Sequence, residues 1–189
     1  VAFAPDRLSV FNYAHLPTRF KPQRRIEEAD LPAPQTKLDI LKSTGELLAD
    51  AGYVYIGMDH FARPDDELAL AQQDGSLYRN FQGYSTHADC RGIELSRDDL
   101  IRRDVITRVI CNFALDFAAV EQAWDIDFAE YFAAALPRLG AMQADGLLEL
   151  DGKGIRVQPK GRLLIRNICM VFDAYLAAKE GPVGFSRVI

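Results

Sequence analysis

Between Gln35 and Met58 a helix-forming stretch runs straight into a strand with no polar face, a pairing that few architectures accept. "QTKLDILKSTGELLADA" places Leu38, Ile40, Leu41, Leu47 and Leu48 at largely helical spacing and stops before Gly52, a residue suited to ending a helix. "YVYIGM" then reads as a continuous apolar strand, the kind that is covered on both faces in parallel sheets. Upstream, "RLSVFNYAHLP" carries β-branched and aromatic residues and halts at Pro17, as a strand leading into a loop does. Strand, long connection, helix, glycine and strand make a β-α-β unit, so residues 1 to about 62 are expected to form a parallel α/β sheet. The strand C-termini then fall at Ala14 and Asp59 on one edge, where such sheets bind ligands.

Beyond Pro64, "DDELALAQQDG" predicts a short helix, and "SLYRNFQGYSTHADC", aromatic and polar without a period, predicts an ordered loop over a site. After Gly92 the pattern turns helical. Ser96 and Asp99 fit a capping box, and Ile101, Val105, Ile106, Val109, Ile110 and Phe113 form one apolar face. Two further helices are expected around Phe117 to Trp124 and Phe128 to Ala144, the second bent at Pro137. "DGLLELDGKGIRVQPKG" shows two short strands joined by Asp-Gly-Lys-Gly, a hairpin signal, and a last helix is expected from about Lys160 to Lys179. Three helices, a hairpin and a closing helix make a winged-helix-like arrangement. The expected division is therefore an α/β part over residues 1–90 and a mainly α part over residues 91–189.

Composition narrows the function. With 189 residues, 49% of them apolar, and no low-complexity tract, the chain can bury an ordinary core. No apolar run approaches the roughly 20 residues a membrane helix needs, which points to a soluble, cytoplasmic protein with no membrane partner. A net charge of -5 argues against nucleic-acid binding by sheer basicity. The three cysteines, Cys90, Cys111 and Cys169, are too few and scattered for a disulfide framework or a four-thiolate site. The chain starts at Val1, within a few residues of its first strand, so its natural beginning is expected to lie upstream.

Asp59, His60 and Arg63 follow the apolar strand closely enough to converge on a ligand, and an arginine there would hold a carboxylate through two parallel hydrogen bonds. Ordinary turn chemistry explains the same residues, with Asp65 and Asp66 capping the next helix. His15, at the end of the preceding strand, is expected on the same edge, with a histidine satisfied by loop backbone as the plainer alternative. His87 and Cys90 have a His-x-x-Cys spacing, but zinc normally takes three or four protein ligands and no second pair matches, so no metal ligands are assigned. Arg102, Arg103 and Arg108, with Lys153, Arg156, Lys160, Arg162 and Arg166, would make a phosphate-binding face or, more plainly, a solvated one diluted by Asp98, Asp99, Asp104, Glu149 and Asp151. Phe81 and Gln82 pair an aromatic face with an amide, a combination suited to stacking on and hydrogen-bonding a nucleoside-like ligand.

Through "PDRLSVFNYAHLP", "GYVYIGMDHFARPDDELALAQ", "RNFQGYST" and "KGRLLIRNICM" the sequence resembles the oxygen-independent coproporphyrinogen III oxidases, radical S-adenosylmethionine (SAM) enzymes of haem biosynthesis. The resemblance implies the C-terminal part of a radical SAM (β/α) barrel followed by a helical, winged-helix-like C-terminal domain. It implies SAM and a [4Fe-4S] cluster as cofactors, coproporphyrinogen III as substrate, an electron donor as partner, and a monomer. Carried over residue by residue, it sets Ala14, Phe81 and Gln82 beside SAM, while position alone suggests His15, Asp59, His60 and Arg63 for the substrate. Two departures follow. The family's Cys-x-x-x-Cys-x-x-Cys cluster motif has no counterpart here, so no catalytic residue is expected within this chain and the chain by itself should be inactive. The family's glycine-rich segment between the equivalents of "GYSTHADC" and "RGIELSRDD" is also missing. A winged-helix nucleic-acid-binding module and a non-catalytic haem-binding relative stand as the alternatives.

Overall fold

The computed structural model describes residues 3–80, 83–86 and 95–177. Its first sheet is built from β1 (Arg7–Ser9), β2 (Val54–Gly57) and β3 (His60–Ala62), with helix α1 (Pro34–Asp50) joining the first two. The helix begins with a proline in its first turn and ends at Ala51, after which Gly52 takes a left-handed φ of 85°. Two short 3-10 turns, Lys21–Arg25 and Glu28–Asp30, precede it.

The parallel β-α-β sheet is corrected in one respect. β1 and β2 run in the same direction but are not neighbours, because β3 lies between them, antiparallel to both. Arg7 faces Ala62 and Ser9 faces His60 on one side, while Val54 faces Ala62 and Gly57 faces His60 on the other. The cause is local: Gly57 at φ 148° and Met58 at φ 54° reverse the chain, and His60–Ala62 fold back into the slot a parallel neighbour would have taken. A second correction concerns length, since β1 ends at Ser9 rather than Ala14, its pairing limited by a partner strand of three residues. Leu48 of α1 packs with Tyr53 and Phe61 against this sheet.

Helix α2 (Glu67–Asp74) starts as expected after Pro64, with Asp66 accepting from the Leu68 N–H. The ordered loop expected next is instead a hairpin, β4 (Tyr78–Asn80) paired antiparallel with β5 (Gly83–Ser85). Strands this short hold too few residues to show a two-residue period.

The second half opens with α3 (Arg97–Asn112), whose Ser96 and Asp99 form the expected capping box. β6 (Ala114–Asp116), unforeseen between two helices, is followed by α4 (Phe117–Trp124). The helix expected over Phe128 to Ala144 is two, α5 (Phe128–Tyr131) and α6 (Leu136–Ala144), because Pro137 belongs in a first turn, where its missing N–H costs nothing, rather than inside a helix. The expected hairpin is β7 (Leu148–Leu150) and β8 (Gly154–Val157), and β6 adds to β8 as a third antiparallel strand. The closing helix is likewise broken, into α7 (Pro159–Arg162), α8 (Ile165–Cys169), a 3-10 turn and α9 (Ala174–Ala177). Tight bonds from Leu164 N to Gly161 O and from Asn167 N to Leu164 O interrupt it, and the Asp173 carboxylate accepts the N–H groups of Tyr175 and Leu176, starting a new helix. Helix, strand, helices and two strands thus follow one another in this half.

A single apolar core joins the halves. Ile56, Ala62, Leu68, Leu77 and Tyr84 share it with Ile101, Val105, Phe128, Leu139, Leu148, Ile165 and Phe172. Phe117 and Phe128 stack at its centre with ring centroids 3.9 Å apart.

Candidate functional site

The β2–β3 turn is where elements from both halves meet. An ideal Cβ on Gly57 would run into the Tyr84 hydroxyl and come within 3.4 Å of the Phe113 ring. Glycine therefore lets the β4–β5 hairpin, through Tyr84, and the end of α3, through Phe113, close directly onto this backbone.

The turn holds Asp59 and His60 rigidly. Val10 N donates to the Asp59 carbonyl at 2.7 Å, and Ser9 Oγ donates to Asp59 Oδ2 at 3.2 Å. Asp59 Oδ1 lies 3.0 Å from His60 Nδ1. That contact, above all, holds the Asp59 carboxyl below the usual carboxylate range, although burial pushes the other way. With Nδ1 engaged, Nε2 is the histidine's remaining functional atom, and it faces Gly83 at the turn end of the hairpin. The His60 ring meets Tyr84 edge-on at 5.3 Å. Both side chains stay about a quarter exposed, 23% for Asp59 and 27% for His60, so an oriented imidazole is presented at a partly open edge, able to exchange a proton or a hydrogen bond with a ligand.

Aromatic groups wall the turn. Tyr55 stacks on Phe113 at 6.1 Å and donates its hydroxyl to Met58 O at 3.0 Å and Arg162 O at 3.3 Å, and burial pushes its phenol well above the ordinary range. Arg162 sits 4.7 Å over the Phe113 ring. Arg79 sits 5.6 Å over Tyr84, its Nε buried without a hydrogen-bond partner among the described residues.

The structure thus unites Asp59 and His60 and separates Arg63 from them. Arg63 N donates to Asp6 O, beside the start of β1, whereas His60 faces Ser9 at its end. Three residues along a strand put them roughly 10 Å apart. The Arg63 Nε is bound to Asp65 at 3.2 Å, and the side chain lines a hollow with Ala4, Gly52, Tyr53 and Pro64. Ala14 lies past the end of β1, its carbonyl accepting from Gln23 Nε2 at 3.0 Å. Next to it the Nδ1 of His15 is buried without a partner among the described residues, and its ring lies 6.1 Å from Tyr13. Phe81, Gln82, His87 and Cys90 lie outside the described residues, although Asn80 and Gly83, which flank the first pair, face each other across the hairpin.

Of the basic residues considered for a phosphate face, Arg102 pairs with Asp98 at 2.8 Å, Arg108 with Asp104 at 2.9 Å and Arg156 with Glu149 at 3.8 Å. Cys111 and Cys169 are buried, which pushes both thiols up to about 12. A hollow of about 480 Å³ between β4 and α3, lined by Tyr78, Leu100, Arg103, Thr107, Arg108 and Trp124, includes two arginines of the candidate phosphate face but none of Ala14, His15, Asp59, His60 and Arg63. Ser9, Tyr55 and Tyr84 escaped sequence reasoning, and Arg162 was considered only for a phosphate-binding face. The one available signal was Gly57, since a glycine inside an apolar strand marks a close approach.

Residues 95–164 match the HemN C-terminal domain. The chain is 53% identical to the oxygen-independent coproporphyrinogen III oxidase of Escherichia coli (strain K12), with 98% of this chain and 49% of that protein covered. It is 42% identical to the protein of the same description from Thermostichus vulcanus, covering 69% of it. A solved structure, described as coproporphyrinogen III oxidase (HemN) from Escherichia coli and as a radical SAM enzyme, superposes with a TM-score of 0.86 at 52% identity, over 92% of this chain and 49% of that one. The chain spans about half the length of most of the curated relatives it matches. The alignment with the Escherichia coli protein runs over 224 positions against a chain of 189 residues, so that relative carries at least 35 residues within the matched span that this chain does not.

Proposed function

The chain belongs to the oxygen-independent coproporphyrinogen III oxidase family, and from that premise we propose that it is the C-terminal half of a radical SAM oxidoreductase acting on coproporphyrinogen III. The reaction is oxidative decarboxylation of two propionate side chains to vinyl groups, giving protoporphyrinogen IX. The observation that carries this reading is 53% identity to the Escherichia coli enzyme across 98% of the chain.

When bound, SAM and a reduced [4Fe-4S] cluster would supply hydrogen abstraction, the cluster giving the electron that cleaves SAM, and the electron left after loss of carbon dioxide would pass to an electron acceptor. The described residues do not fit the cluster, because Cys111 and Cys169 sit in the apolar core with thiols pushed up to about 12, far from the thiolate state that ligation needs. The cluster belongs to the half of the family's chain that this sequence does not span. SAM fits better. The unpartnered buried Nδ1 of His15, beside Ala14, is a polar atom in want of a ligand at the position the family gives to SAM, with Phe81 and Gln82 as the further contacts. This chain's own part is to position substrate: Asp59 orients His60 toward the open edge, and Tyr55, Tyr84 and Phe113 keep water from the turn behind it. The reading carries with it an electron donor, a monomer, a cytoplasmic location and no nucleic-acid partner. Among the described residues no helix is long and apolar enough to cross a membrane.

The test is a chimera in which this chain replaces the corresponding half of the Escherichia coli protein, prepared as it stands and with that relative's additional internal residues restored. The restored chimera, reconstituted anaerobically, is expected to convert coproporphyrinogen III to protoporphyrinogen IX. A folded, cluster-loaded chimera that cleaves SAM yet leaves coproporphyrinogen III unchanged overturns the reading.

A further inference from the structure

We propose that Arg162 is the cation that receives a carboxylate of the ligand at the β2–β3 turn, the role that the sequence suggested for Arg63. The inference rests on the proposed function in one respect, that the ligand bears propionate arms.

Three observations carry it. First, Arg7 and Arg63 of this sheet are committed, Arg7 to Asp66 at 2.7 Å and Glu67 at 2.6 Å and Arg63 to Asp65 at 3.2 Å, while the Arg79 Nε behind Tyr84 is buried rather than open to a ligand. Arg162 has no carboxylate within ion-pair distance among the described residues and is exposed, so a ligand can reach it. Second, its place is fixed relative to the turn. The Tyr55 hydroxyl bonds both the Arg162 carbonyl and the carbonyl of Met58, the residue before Asp59, and the guanidinium rests over the Phe113 ring. Contact with a ring engages the guanidinium face and leaves its edge N–H groups free, in the fork geometry that matches a carboxylate. Third, Asp59 does not compete for this cation, since its oxygens are taken up by Ser9 and His60. A carboxylate arriving at Arg162 therefore meets an unneutralised charge over the Phe113 ring that walls the turn, and its desolvation is offset by charge-assisted bonds.

Fluorescence titration of the chain with coproporphyrin III, and with its tetramethyl ester in which every carboxylate is blocked, separates the possibilities. The free acid is expected to bind more tightly than the ester. Arg162→Gln is expected to weaken the free acid about ten- to hundredfold while leaving the ester unchanged, as loss of a charged hydrogen-bonding partner does. Arg162→Lys, keeping the charge without the fork, should fall between, and Arg63→Gln should bind as the parent chain does. If Arg162→Gln binds the free acid normally, or loses acid and ester equally, the assignment of Arg162 is overturned while the proposed function stands. If the parent chain binds neither compound, the Arg162 assignment is overturned for this chain, whereas the proposed function is decided separately by the chimera.

Discussion

Gly57 is the residue on which the site depends most directly. Its φ of 148° is one that side-chain-bearing residues rarely adopt, and the space its Cβ would need is occupied by the Tyr84 hydroxyl. Gly57→Ala therefore meets both backbone strain and a clash, and is expected to cost about 2–4 kcal/mol in urea unfolding. Tyr84→Phe removes the nearest clashing atom, so the double variant should be destabilised by less than the sum of the two single changes. Strict additivity would show that the hydroxyl is not the obstacle. Asp59 and His60 illustrate the same dependence at lower cost: neither is buried, yet each is fixed, one by Ser9 and the other by Asp59.

At the level of elements, the informative cases are those whose ends are written in side-chain chemistry. The start of α3 is set by Ser96, which exchanges hydrogen bonds with Asp99: the Asp99 N–H donates to Ser96 Oγ at 3.1 Å, and Ser96 N donates to Asp99 Oδ2 at 3.0 Å. Ser96→Ala is expected to lower stability by roughly 1 kcal/mol, read as a shift in denaturation midpoint with unchanged slope, and no shift would refute the cap's contribution. α2 and α4 start on the same chemistry, at Asp66 and Asp116, whereas α1 has no side-chain cap and was readable from its apolar spacing and Gly52. Local signals of this kind failed for β4 and β5, a hairpin too short to show a period, and for β3 and β6, three-residue strands with partners far along the chain: Leu115 meets Ile155 and Phe61 meets Leu8, pairings that no local pattern encodes. Pro137 was legible as a disruption, but whether it bends a helix or begins one depends on where the preceding chain packs.

For the molecule as a whole, the decisive feature is that one core crosses the boundary expected near residues 90–95. Ile56 and Tyr84 are buried with Val109 and Phe172, and Tyr84 donates to the Ile110 carbonyl at 3.4 Å. Thermal unfolding followed by Trp124 fluorescence and by far-UV circular dichroism is thus expected to give one coincident transition, and two separated transitions would mean that the halves are stable independently. The sequence by itself determined the helices α1 to α4, the β7–β8 hairpin, the family resemblance and the turn at Met58–His60 as the place to look, because periodicity, caps and turn residues act over a few neighbouring positions. Only the tertiary structure decided that β3 enters the sheet between β1 and β2, that Arg63 is carried to the far end of that strand, that Tyr84 meets His60, and that Tyr55, Phe113 and Arg162 pack together behind the β2–β3 turn. Those outcomes are set by strand register and by side chains as much as 107 residues apart, which only packing brings into contact.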